Sequence, residues 1–251
     1  MGLEPPLLRW FEECRKDAVA AVGGKNASLG ELINAGIRVP PGFAVTTAAY
    51  DRFVEEGGIA GEISRLLQGL DHKQLEQLDT ASAEVRGLIE NAPLSAQLSD
   101  AIAEAYDGLC KICGTSPVPV AVRSSATAED LPGASFAGQQ ETFLWILGPD
   151  EVLRHLRRCF SSLYTARAIA YRVRMGFAHQ AVSISVGIQK MANADAAGVM
   201  FTINPVNGDR SMVSINANYA FGESVVSGEV TPDEILDDKI SQDIVKRNIS
   251  R

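Results

Sequence analysis

The sequence predicts a domain of mixed helices and strands, α/β or α+β, and three observations carry the prediction. Apolar residues recur at helical spacing through residues 24–36 and again through much of 59–113. Between 182 and 191 they alternate with small residues, the period of a strand. A chain of 251 residues with 46% apolar and 22% charged side chains can bury a sizeable core, as one large domain or as two lobes.

Taken in order, Ala27, Leu29, Leu32 and Ile33 mark a first helix that Gly36 closes as a C-cap. A short helix is expected over Ala48–Glu56. Residues 59–113 are helix-rich, with Ile63, Leu66, Leu67, Leu70, then Val85, Leu88, Ile89, then Ile102, Ala105, Leu109, interrupted at Pro93. Val118–Arg123 is a strand and Glu141–Leu147 is β-prone. Asp150 is positioned to cap one long helix running to about Met175, whose other face holds Arg154, Arg157, Arg158, Arg167, Arg172 and Arg174, mostly a solvated basic stripe from which one or two could reach phosphate. Val182–Met191 reads as a half-buried strand, and Gly198–Thr202 and Met212–Asn216 as two more.

The net charge of −8 argues against a broad nucleic-acid footprint. No apolar run approaches the roughly 20 residues that span a bilayer. Glu4, Arg9, Glu12 and Glu13 do not make a signal peptide, so no membrane partner and a cytoplasmic location are expected. Cys110 and Cys113 have a redox or half-zinc spacing without a second pair, and with Cys14 and Cys159 they read as reduced structural thiols. No metal ligands are assigned. His72, His155 and His179 read as surface or helix-boundary residues.

The richest segment is Val120-Ala-Val-Arg-Ser-Ser-Ala-Thr-Ala-Glu-Asp-Leu-Pro-Gly-Ala-Ser-Phe-Ala-Gly-Gln-Gln-Glu-Thr142. A short apolar strand delivers Arg123, an always-charged planar fork suited to phosphate, into a run of small residues whose backbone N–H groups can face an anion. The alternative for Arg123 is a buried ion pair with Glu129 or Asp130. Lys25 follows Gly23-Gly24 at a helix entrance, where the helix dipole favours an anion; it is a phosphate ligand or a routine surface charge. The Gly-x4-Gly-Lys-Ser/Thr pattern of a P-loop is missing.

This segment closely resembles the nucleotide-binding domain of the phosphoenolpyruvate synthase, pyruvate phosphate dikinase and rifampin phosphotransferase family. Val22-Gly-Gly-Lys-Asn-Ala-Ser-Leu-Gly-Glu31, Val39-Pro-Pro-Gly-Phe-Ala-Val-Thr-Thr-Ala-Ala-Tyr50, Gly198-Val-Met-Phe-Thr-x-Asn-Pro205 and Phe221-Gly-Glu-Ser-Val-Val-Ser-Gly228 are similar to further family motifs, in the family's order. The likeness covers about residues 7–240.

The resemblance implies an α+β fold of the ATP-grasp type, two lobes with nucleotide between them. Residues 1–190 would form the N-terminal lobe with its phosphate-binding loop, and 191–251 the start of an incomplete C-terminal lobe. It assigns Lys25 and Arg123 to the phosphates, as catalytic and nucleotide-binding groups. Gly138 and Thr142 match loop and strand positions that contact ATP, Gln189 a nucleotide-contacting position, and Asp195 can accept from the ribose hydroxyls. Glu223 is a further candidate, and Thr142 and Glu223 each have an ordinary reading as a strand residue and a solvated carboxylate.

The expected cofactors are ATP and Mg2+, the metal ligands lying mostly beyond this chain. The expected partner is a phosphohistidine swivelling domain or subunit, to which the β-phosphoryl of ATP passes with release of AMP and phosphate. A split system like phenylphosphate synthase and a noncatalytic nucleotide-binding module are the alternatives.

Overall fold

The structure, a computed structural model, describes residues 5–126, 141–179, 182–219, 221–222, 224–225 and 228–250. The fold is α+β: helices accompany two wholly antiparallel sheets. The chain divides into two compact units, Met1–Met191 and Ala192–Arg251.

The first unit is built on a five-stranded sheet of order β1-β2-β5-β3-β4, with β1 Leu8–Trp10, β2 Gly42–Val45, β3 Val120–Ala126, β4 Thr142–Ile146 and β5 Ile184–Lys190. Its helices are α1 Val19–Asn34, α2 Thr47–Glu56, α3 Ala60–Leu66, α4 Leu75–Asn91, α5 Ala96–Cys113, α6 Pro149–Ser161 and α7 Ala166–Met175. Because side chains alternate along a strand, the register sorts the sheet into two unlike faces. Phe43, Ile188, Val122 and Phe143 stand in one cross-strand row on the first face, flanked by Val45, Val186, Val120 and Ile184. That face joins α2 and α4–α7 in the main core, with Phe53, Leu78, Ile102, Leu109, Leu156 and Phe160 fully buried.

The second face carries Gly42, Ala44, Ser185, Gly187, Gln189, Ala121, Arg123, Ser125 and Thr142. These are mostly small, and α1 lies on them with its own small core of Phe11, Cys14, Ala18, Val22, Ala27 and Ala44. Strand β5 is therefore buried on both faces, not half-buried as the alternation predicts. A row of serine and glycine mimics a solvated face in sequence, yet it is what lets a helix backbone come close.

Three further expectations are corrected. The long helix after residue 150 is two helices, α6 and α7, separated by a 3₁₀ turn at Ser162–Tyr164; Thr165 caps α7 by accepting from Ala168 N–H at 3.2 Å. The N-cap of α6 is Gly148, with Pro149 in the first turn, and Asp150 sits two positions past the cap. His155 is a core residue, 5% exposed, with Nδ1 2.8 Å from Glu151 O and its ring 4.8 Å from that of Phe143.

The second unit is a four-stranded meander, β6 Ala196–Phe201, β7 Met212–Tyr219, β8 Asp233–Asp238 and β9 Ile244–Asn248. Among its described residues only Ser214 is buried, and Met200, Val206, Tyr219 and Ile240 are well exposed. No helix among the described residues is long and apolar enough to cross a membrane.

Candidate functional site

Helix α1 is broken at Gly23, where φ 72° and ψ 165° belong to a region that side chains strongly disfavour. A Cβ there would meet Ser125 O and Oγ at 2.3 Å, so only glycine lets the chain pass β3 at this point. The helix restarts at Gly24, and the first turn of its longer segment presents Gly24, Lys25 and Asn26 to a cavity of about 370 Å³. Helix first turns carry unpaired N–H groups and a partial positive charge.

The sheet contributes Arg123, Ser124, Gly187 and Gln189 to the lining, and Phe11 lines it as well. Arg123 lies directly across from Gly187 on β5 and from Thr142 on β4. The missing side chain at Gly187 is what admits Asn26, whose Oδ1 would lie 2.4 Å from a Cβ at that position. Gln189 is 8% exposed, and its Nε2 donates to Pro40 O at 3.2 Å. Among the described residues the lining holds two cations, Lys25 and Arg123, and no carboxylate. In a chain of net charge −8, that concentration of positive charge suits an anion.

The structure thus brings Lys25, Arg123 and Gln189 into one cavity. Thr142 shares the Arg123 row but stands exposed on the edge strand, outside the cavity wall. Asp195 is exposed at the start of the second unit, just before β6. Gly138 and Glu223 lie outside the described residues, as do Glu129 and Asp130. Arg123 itself is exposed. Asn26 and Gly187 were not singled out by sequence; the signal was the Asn that follows Lys25 in the Gly-Gly-Lys-Asn string and the lone Gly inside an apolar strand.

The arginine stripe also needs correction at one member. Arg172 is 1% exposed, donating from Nη2 to Leu163 O at 2.6 Å and from Nε to His179 Nδ1 at 3.0 Å. Its guanidinium carbon lies 5.3 Å from the Tyr164 ring centroid, an arrangement that offsets part of the desolvation of a buried cation. Burial, and secondarily the Arg172 charge, pull the His179 pKa down to about 4. This cluster is structural and separate from the cavity lining.

Residues 19–251 match the family described as pyruvate phosphate dikinase, AMP/ATP-binding domain. The chain belongs to this family. It is 48% identical over 244 residues to a probable phosphoenolpyruvate synthase of Methanocaldococcus jannaschii, covering 97% of this chain and 20% of that protein. A probable phosphoenolpyruvate synthase of Staphylothermus marinus is 48% identical over 248 residues, 98% of this chain and 30% of the relative. The phosphoenolpyruvate synthase of Pyrococcus furiosus is 42% identical over 276 residues, 97% and 34%. The chain therefore spans from about a fifth to a third of these relatives' length. Membership of an AMP/ATP-binding family agrees with a cavity whose charged groups, among the described residues, are both cationic.

Proposed function

We propose that this chain is the ATP-binding portion of a dikinase-like phosphotransferase, which passes the β-phosphoryl of ATP to a histidine on a separate domain and releases AMP and phosphate. The observation that carries the reading is the convergence of Lys25, Arg123 and the restarted helix on one cavity free of carboxylates among the described residues. Its volume, about 370 Å³, falls within the range of small-molecule sites.

Arg123 would hold phosphate oxygens through its fork, and Lys25 would add a point charge beside the N–H groups of its helix. Phosphoryl transfer relies on such neutralisation of charge on the group in flight. Gln189 would contact the nucleoside, its amide held by Pro40. Thr142 and Gly138 on the phosphate side, and Asp195 on the ribose, rest on the resemblance. So do the ATP-grasp assignment and the partition into an N-terminal lobe, 1–190, and the beginning of a C-terminal lobe, 191–251.

Magnesium accompanies this chemistry in the family. Among the described residues no group of three His, Cys, Asp or Glu side chains is placed to hold a metal ion. The roles assigned to this chain's residues are binding and orientation.

The relatives, named as phosphoenolpyruvate synthases, favour a dikinase-like parent over a split phenylphosphate synthase-like system or a noncatalytic module. The test is incubation with ATP labelled at the β-phosphorus, magnesium and a histidine-bearing partner domain of the family. Label on the partner histidine, lost with Arg123→Ala, is expected. Label that never leaves the nucleotide would overturn the transfer reading.

A further inference from the structure

Lys25 stands two residues after a break in its own helix, so something must fix the restarted segment against the sheet. Asn26 is placed to do this. It is 3% exposed and lines the cavity beside Lys25. Its Nδ2 donates backwards across the break to Val22 O at 2.9 Å and sideways to Ser185 Oγ at 3.1 Å on β5. Ser185 in turn donates from Oγ to Val45 O at 2.6 Å on β2.

The directions of these bonds are fixed by chemistry. Val22 O and Val45 O can only accept, so the amide nitrogen faces Val22 and the serine proton is committed to Val45. The Ser185 oxygen is then left to accept from Asn26. The relay runs from β2 through β5 to both sides of the helix break, and it is buried throughout: Ser185 is 0% exposed. Gly187 makes room for it, since a Cβ at that position would lie 2.4 Å from Asn26 Oδ1. A buried amide in a site otherwise packed by Val22, Ala27 and Ala44 is costly unless its bonds are made, which gives the relay its orienting force.

We propose that Asn26 is a positioning residue for the phosphate end of the cavity, acting through Lys25. By pinning the first turn of the Gly24–Asn34 segment to β5, it sets the Lys25 side chain and the neighbouring N–H groups opposite Arg123 on β3. The inference rests on the reading that this cavity receives the phosphates of a nucleotide. Asn26 needs no contact with the ligand for this role. Its loss costs affinity in proportion to the phosphates a ligand carries, whereas a merely structural asparagine affects all ligands alike.

The experiment compares ATP, by calorimetry, with adenosine, by ligand-observed NMR, on the 251-residue chain and on Asn26→Ala and Ser185→Ala. Ser185→Ala removes the acceptor from outside the cavity wall and leaves the amide in place, so it reports on the relay even where Asn26→Ala folds poorly. Each variant is expected to bind ATP about tenfold more weakly, the scale of one lost hydrogen bond to a charged or orienting group. Adenosine affinity is expected to stay within about twofold. ATP affinity within about twofold of the unsubstituted chain in Ser185→Ala, or equal losses for ATP and adenosine, overturns the positioning role while the nucleotide site stands. Failure of the unsubstituted chain to bind ATP overturns both together.

Discussion

Gly23→Ala makes the sharpest use of the geometry. At φ 72° and ψ 165° an alanine sits in a region tolerated almost only by glycine, which costs about 1–3 kcal/mol. Its methyl also lands 2.3 Å from Ser125 O and Oγ, contacts that require α1 or β3 to move. Overpacking of this kind costs about 1–3 kcal/mol more. The sum is about 2–6 kcal/mol.

Gly36→Ala isolates the first contribution, because Gly36 has φ 79° but nothing within 4 Å of the added carbon. Only the left-handed penalty of about 1–2 kcal/mol applies there. Urea unfolding followed by tryptophan fluorescence reads the first unit alone, since Trp10 and Trp145 both belong to it. With a slope of about 2–3 kcal/mol per molar urea, Gly23→Ala shifts the midpoint down by about 1 M or more, and Gly36→Ala by about half of that or less. Equal shifts would refute the close approach of α1 to β3, on which the position of Lys25 depends.

Other outcomes follow from the same structure. His179 is held neutral in the fold with a pKa of about 4, below its ordinary 6.5, so the unfolded chain takes up the proton first. Stability is therefore full above about pH 6.5 and falls as pH drops towards 4, by about 1–2 kcal/mol once partial exposure is allowed for. His179→Gln, which keeps an acceptor for Arg172, should flatten that part of a melting-temperature profile; an unchanged slope contradicts the Arg172–His179 bond. Cys14 and Cys159 are buried with their thiols pushed up by desolvation, and Cys110 is 6% exposed. A thiol reagent should label Cys113 first in the native chain, read by mass spectrometry, and rapid labelling of Cys159 would contradict the core.

Much of the site was legible because its chemistry is written in short strings. Gly23-Gly24-Lys25 marked a helix entrance with a cation, and the strand carrying Arg123 marked a second; in the fold both line one cavity. Three features escaped for physical reasons. The serine and glycine positions of β5 follow the same alternation as a wet face, and nothing local says that a helix covers them. The break between α6 and α7 lies in a stretch whose apolar stripe continues across it, so periodicity alone runs straight through. The acidic strand β8, Asp233–Asp238, contradicts strand propensity and owes its form to pairing with β7 and β9. The bonding of Asn26 was illegible for a related reason: its partners are Val22 and the distant Ser185, and a relay across 159 residues of sequence has no local signature.

The central claim is that Lys25 and Arg123 face one anion-binding cavity and that the anion is a nucleotide phosphate. Calorimetric titration of the chain with ATP, beside Arg123→Ala and Lys190→Ala, tests it most directly. Lys190 is a neighbouring cation on the opposite face of β5, paired with Val120 rather than with the Arg123 row. The account predicts that Arg123→Ala weakens ATP binding by at least tenfold while Lys190→Ala stays within about twofold. Equal affinities for the two variants would contradict it.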